Sequence, residues 1–294
     1  MSDDLYTVLK EKYAPYANNC YVKGVLGFLQ ETNIGMYPRL DNFSPQDYTQ
    51  KDDCFLCEGE SEIYPDGLNA KDLKIFDTSL FRGIVDVSPI SAGHILLAYK
   101  VHKTASSQLE PEAIDELMQT INVLRSFNKD VHGLKTEFFE HGTFDCHGSC
   151  VDHTHMHAVA TEQSASDLVK SKLCYQQIND IGVVSRIPGL QTYFMFIDEH
   201  GEIIIDIDNI VPSQFGRQVY GAINGNFQTN WRTNLSQHPE KLLAQVDAVR
   251  QHYGGLESYI QQNQIKGFYF PTHSQSLSTD CTLQPCRFGT KSQS

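Results

Sequence analysis

The chain has 294 residues, 40% of them hydrophobic and 20% charged, with 23 basic side chains against 36 acidic ones for a formal net charge of -13. That length holds one large domain or two small ones, and the acidic balance argues against a surface built for nucleic-acid backbones or anionic membranes. A local phosphate pocket stays open, because helix N-termini, protonated histidines or a metal supply positive charge inside an acidic protein. No apolar run approaches the length of a membrane span. The acidic start MSDDLYTVLK lacks the basic region and apolar core of a secretory signal, and the eight cysteines are spread widely. A cytoplasmic, reducing compartment is expected, where paired cysteines hold metal rather than form disulfides.

In chain order, residues 1–50 read as short helices and loops, with Leu5, Val8 and Leu9 at helical spacing. Cys54-Phe-Leu-Cys57 is the first sharp feature. Gly83–Val87 and His94–Tyr99 follow as strand-like runs. Ile114, Leu117, Met118, Ile121 and Leu124 mark one face of a helix over 110–127, with Pro111, Glu110 and Glu112 suited to its first turn. Thr136–Glu140 and Val151–Ala160 read as strands. Thr192–Ile197 and Glu202–Asp208 form a hairpin about Asp198-Glu-His-Gly201. Helices are expected near Ser213–Ile223 and around Leu242, Leu243, Val246 and Val249. The tail after His273 is polar. Strand pairs separated by one long helix predict an α+β fold with an antiparallel sheet, not a doubly wound one.

The segment Val151-Asp-His153-Thr-His155-Met-His157-Ala-Val159 carries the most information. In a strand, alternate side chains share a face, so the three histidines are expected together, opposite Thr154, Met156 and Ala158. Each imidazole needs hydrogen bonds or a metal to be buried there. A chance cluster or a plain metal site is the bland alternative.

This motif resembles the signature of the histidine triad (HIT) superfamily, His-x-His-x-His followed by apolar residues. The segment from Asp86-Val-Ser-Pro89 through His94-Ile-Leu-Leu-Ala-Tyr-Lys-Val-His102 is similar to the family's upstream segment, so the likeness spans about residues 50–160. The resemblance implies an antiparallel sheet of about five strands with a long helix. It implies that His155 is the nucleophile on the α-phosphorus of a nucleotide, through a covalent nucleotidyl-histidine. His157 would act as a phosphate-side donor and His153 would complete the catalytic triad. Asp86 would bind the ribose hydroxyls; the alternative is a turn aspartate capping the Ser-Pro bend. The position before the triad holds Cys150, with Ser149 beside it, where many members carry Ser or Gln near the leaving group. The upstream element is Phe139-Glu140-His141-Gly142 where many members have Asn.

Some relatives hold a structural metal with a CxxC pair, a histidine after the second core strand and the first triad histidine. The matching set here is Cys54, Cys57, His102 and His153, a closed zinc site. Cys146, His147 and Cys150 form a rival set, and free buried thiols are the third possibility. In the C-terminal third, Ser213 is placed to cap a helix whose N-terminus, with Gln214 and Arg217, suits a phosphate; an ordinary cap with a solvent-facing Arg is the alternative. Trp231, in Asn230-Trp-Arg232, is placed either to stack a base or to pack in the interior.

The expected organisation is an N-terminal extension over 1–50, a HIT-like catalytic core over 51–165, a C-terminal α/β extension packed on that core over 166–273 and a tail over 274–294. The expected activity is hydrolysis at the α-phosphate of a nucleoside phosphoramidate, dinucleoside polyphosphate or nucleotide sugar, since His157 stands where uridylyltransferases of the superfamily carry Gln. Nucleotidyl transfer or phosphorolysis through the same intermediate, a non-catalytic nucleotide-binding protein, and a zinc hydrolase with an open metal are the alternatives. The expected partners are a small nucleotide and a structural zinc, with no organic cofactor, no nucleic acid and no membrane; a homodimer is compatible with all of this.

Overall fold

The computed structural model describes residue 56 and residues 73–143, 153–187, 192–207, 211, 214–224, 234 and 239–271. The expected N-terminal helices, Cys54, Cys57, Ser149, Cys150, Ser213, Trp231 and the rival cysteine set lie outside these residues. The described elements are β1 (Lys74–Asp77), β2 (Phe81–Val85), β3 (Gly93–Tyr99), α1 (Pro111–His132), β4 (Lys135–Thr143), β5 (His155–Thr161), α2 (Ser166–Lys172), β6 (Gln176–Ile178), β7 (Thr192–Ile197), β8 (Ile203–Asp206), α3 (Phe215–Ile223), α4 (Pro239–His252) and α5 (Leu256–Gln262). The strands form one eight-stranded sheet in the order β1-β2-β3-β5-β4-β7-β8-β6. Every strand pair in it is antiparallel. The fold is α+β with an antiparallel sheet, as expected; beyond the five strands of the family fold it holds the expected hairpin β7–β8 and, as an addition, β6.

The extra strands come from the chain beyond residue 165. Strand β7 pairs with β4, setting His141 opposite Phe194 and Phe139 opposite Phe196. The ladder therefore runs without a break from the histidine-bearing strand into the C-terminal third. Strand β6 is three exposed or half-buried residues at the sheet edge, Gln-Gln-Ile, with too little apolar alternation to read from sequence.

Both faces of the sheet are covered. One apolar cluster joins Ile95, Leu97, Phe138, Met156 and Ala158 to residues of α1, α4 and α5. The second joins Phe139, Val159, Phe194, Phe196 and Ile204 to Val169 of α2 and Phe215, Val219 and Tyr220 of α3. Burial on both sides explains why β3 reads as an unbroken apolar run rather than an alternating one. Helix α1 starts with Pro111 at its first turn and ends at Gly133, whose φ of 68° and bonded N–H make a left-handed cap.

Helix α3 approaches the sheet closely at Gly216. A Cβ there would lie 2.5 Å from the Phe139 ring, so only glycine lets the helix sit at this depth. Gly216→Ala is expected to overpack the contact and cost about 1–3 kcal/mol. Denaturant unfolding measures this; an unchanged midpoint and slope would contradict the packing described.

Candidate active site

Strand β5 places Ala98 opposite His155, and Leu96 and Phe139 opposite His157. His155 and His157 share the face that α3 covers, with ring centroids 5.1 Å apart. His153 does not join them. It precedes the strand, where the Thr154 carbonyl accepts from Tyr99 N–H and Thr154 N–H donates to the Lys103 carbonyl.

The hydrogen-bond partners fix the tautomers. His155 Nδ1 lies 2.6 Å from the carbonyl oxygen of His153, so Nδ1 carries the proton and donates. Its Nε2 is left with the lone pair. Burial holds the His155 imidazole below its ordinary range, against the opposing pull of that hydrogen bond. His155 is thus neutral, with an unprotonated Nε2, in a half-buried position.

His157 belongs to a relay that sequence reasoning missed. The Ile90 N–H donates to His94 Nδ1 at 3.2 Å, which puts the His94 proton on Nε2. His94 Nε2 lies 2.9 Å from His157 Nδ1 and donates to it. The proton of neutral His157 therefore sits on Nε2. The His157 ring stacks on Phe139 at 4.3 Å and 11°. His94 had been read only as the opening of an apolar strand; its partner lies 63 residues away.

Asp86 stands behind this relay, with Oδ2 3.6 Å from His157 Nδ1 and 3.8 Å from His94 Nε2. Its Oδ1 accepts from the Ser88 N–H at 2.7 Å, the turn expected before Ser-Pro, and from Arg217 at 2.9 Å. Asp86 is 4% exposed and Arg217 2%, so the two groups are buried against each other. Arg217 is not solvent-facing: Nη1 is on Asp86 and Nη2 on the Ser88 carbonyl. Gln214 forms the N-cap of α3 at a φ of 82°.

Asp86, His94 and His157 each offer a ligand atom, all within 4.8 Å of one another. The chemistry suits a hydrogen-bonded relay better than a metal. The facing His94 nitrogen carries a proton, and the guanidinium already compensates the carboxylate.

A second histidine pair occupies the end of the same strands. His153 Nε2 donates to the Tyr99 carbonyl at 2.6 Å, so its Nδ1 is unprotonated and lies 3.4 Å from His102 Nδ1. Burial lowers the His153 pKa to about 4. Leu56, between Cys54 and Cys57 in sequence, is buried and accepts from Arg82, whose charge also acts on His153. Backbone from the CxxC element thus lies at the sheet end that holds the two histidines.

Beside the triad, His141 on β4 is held down to about 4, by burial first and by His155 second. Glu140, on the opposite face, accepts from Ser106 N at 2.8 Å and Tyr193 OH at 2.6 Å. Burial pushes its carboxyl up to about 7 despite both bonds. It occupies the element where the resemblance expects Asn, and its role here is to pin the loop before α1 to β7.

Residues 68–164 match the family described as HIT domain. The matched stretch is a HIT domain, and His153, His155 and His157 lie within it. Solved structures similar to part of it include a HIT family protein from Bacillus anthracis, 20% identical, covering 39% of this chain and 77% of that one at a TM-score of 0.30. A zinc-bound histidine triad family protein from Mycobacterium smegmatis is 20% identical, with 40% and 82% covered and a TM-score of 0.27. Yeast Ap4A phosphorylase Apa2 in complex with AMP is 15% identical, with 42% and 55% covered and a TM-score of 0.31. No curated protein sequence matches the chain significantly.

The Glu140 environment makes a signed pH prediction. A carboxyl raised from 4.5 to about 7 binds more protons folded than unfolded in that window, so its contribution to stability falls as pH rises through it. The loss amounts to about 3 kcal/mol. The stability of Glu140→Gln relative to wild type should therefore rise by that order between pH 4.5 and 8, measured by urea unfolding. The contributions of the buried histidines, which run the other way, cancel in this difference. A gap that does not change with pH would contradict the assignment.

Proposed function

We propose that this protein is a nucleotidyl hydrolase acting at the α-phosphate of a nucleoside phosphate derivative, through a nucleotidyl-histidine at His155. The observation that carries the proposal is the tautomer of His155: Nδ1–H tied to the His153 carbonyl and Nε2 left as a lone pair, beside the Nε2–H of His157. The match to the HIT domain supports it.

The chemistry follows from that arrangement. The Nε2 lone pair attacks the α-phosphorus while the bond to the leaving group breaks, and the leaving group departs with its electron pair and takes up a proton from solvent, which the attacking water later gives back. The new N–P bond puts positive charge on the imidazole, and the His153 carbonyl stabilises it through Nδ1–H. His157, whose ring centroid lies 5.1 Å from that of His155, is assigned to a phosphate oxygen through Nε2–H. Water then attacks the same phosphorus, releases the nucleoside monophosphate and restores neutral His155. Phosphoramidates, dinucleoside polyphosphates and nucleotide sugars are the substrate classes to screen. His155→Ala is expected to fold and to lose at least about a thousandfold in kcat on the best of them. Near-normal turnover by folded His155→Ala would sink the proposal.

A structural zinc on Cys54, Cys57, His102 and His153 is the metal proposal. The fit rests on the unprotonated His153 Nδ1, its 3.4 Å separation from His102 Nδ1, and the anchoring of Leu56 at the same sheet end. Two thiolates and two imidazoles make a closed, zinc-selective set, so the metal would brace the backbone that leads into His155. Elemental analysis of protein purified without chelators should find about one zinc per chain, lost together with thermal stability in Cys54→Ser with Cys57→Ser. Zinc that survives this double substitution would place the site elsewhere.

A further inference from the structure

The HIT match ends at residue 164, but the relay behind His157 is held from well beyond it. We propose that Arg217 of helix α3 is a positioning residue of the active site: by balancing the Asp86 carboxylate it keeps His157 a neutral imidazole with its proton on Nε2. The proposal rests on the nucleotidyl-histidine function above and adds to it an active-site residue from the C-terminal extension.

A lone carboxylate buried 3.6 Å from His157 Nδ1 would recruit a proton and turn the imidazole into its cationic partner. A proton on Nδ1 would then confront the proton on His94 Nε2 across their 2.9 Å contact and break the relay. Arg217 prevents this from the other side of Asp86. Its Nη1 lies 2.9 Å from Asp86 Oδ1, its Nη2 is on the Ser88 carbonyl, and its charge is permanent. With both present the cluster is neutral overall and the donors run one way, from Ile90 N–H to His94 to His157.

The ionisable groups facing His157 are His94 from β3, His155 from its own strand, Asp86 from the β2–β3 connection and Arg217 from α3; β4 contributes the uncharged Phe139 ring. Burial first, then His155 and His94, hold His157 well below its ordinary range; Asp86 alone pulls upward, and Arg217 opposes it with the smallest of these effects. Helix α3 thus supports His157 twice, through the Gly216 contact that seats Phe139 and through Arg217. The Asn234 side chain, further along, bonds Ser88 Oγ at 3.0 Å and ties the same turn to a later segment.

The test uses the full chain with Arg217→Met, and Arg217→Met combined with Asp86→Asn. Two readouts are taken at neutral pH: the ¹⁵N signals of the His157 ring, and steady-state turnover. Arg217→Met should convert His157 to the imidazolium and lower kcat about 100-fold with KM little changed, the scale of a lost preorganised donor. The double substitution removes both charges, so His157 should return to the neutral Nε2–H form and kcat should recover by about tenfold or more over Arg217→Met. If Arg217→Met does not fold, the double variant decides alone: a neutral Nε2–H His157 with turnover supports the proposal. A folded double variant that is inactive, or a neutral His157 in Arg217→Met, overturns it. If wild type turns over no nucleotide, the proposed function fails, and the ring signals still judge Arg217 separately.

Discussion

One hydrogen bond sets the terms for the rest of the site: His155 Nδ1 to the carbonyl oxygen of His153, two residues earlier at 2.6 Å. A neutral imidazole has one proton and one lone pair, and this bond decides which nitrogen carries which. The bond needs the His153 carbonyl turned toward the following histidine. The departure from the strand at Thr154, bonded to Lys103 and Tyr99, accompanies that turn. His153 is itself fixed through Nε2 on the Tyr99 carbonyl.

The surroundings keep these rings neutral. Burial is the largest cause for His94, His153, His155 and His157, and each is held below its ordinary range. Neutral rings cost less to bury than charged ones, and each nitrogen partner described here is one that a neutral tautomer satisfies. The exception is the Asp86–Arg217 pair, whose two charges stand together behind His157. Truncating one partner of such a pair leaves an uncompensated buried charge, while removing both is far gentler, so the two residues act as a unit. The eight-stranded sheet makes this possible. By pairing β7 with β4 it carries the chain across the covered face and returns it in α3 at the depth that Gly216 allows.

Much of this was legible in the sequence where the signal is local. The period of Ile114, Leu117, Ile121 and Leu124, with Pro111 before it, located α1. Alternating residues about His155 and His157 located β5, and the Asp198-Glu-His-Gly201 hairpin was read between β7 and β8. What escaped depends on distance along the chain. Asp86 was singled out for a ribose, with a turn as the alternative, and Arg217 for a phosphate, but nothing local says that residues 131 apart meet. The same holds for His94 and His157. The alternation of residue types also could not say where the strand begins, because backbone bonds to Tyr99 and Lys103 decide that. Short polar β6 and α2 carry too little pattern to stand out.

The central claim is that His155 is a neutral imidazole whose tautomer is set by its own backbone. Long-range ¹H–¹⁵N correlation of the His155 ring at neutral pH tests it directly, without a substrate. The account predicts a protonated Nδ1 and an unprotonated Nε2, tied to the 2.6 Å contact with His153. A ring protonated on Nε2, or an imidazolium, would contradict it.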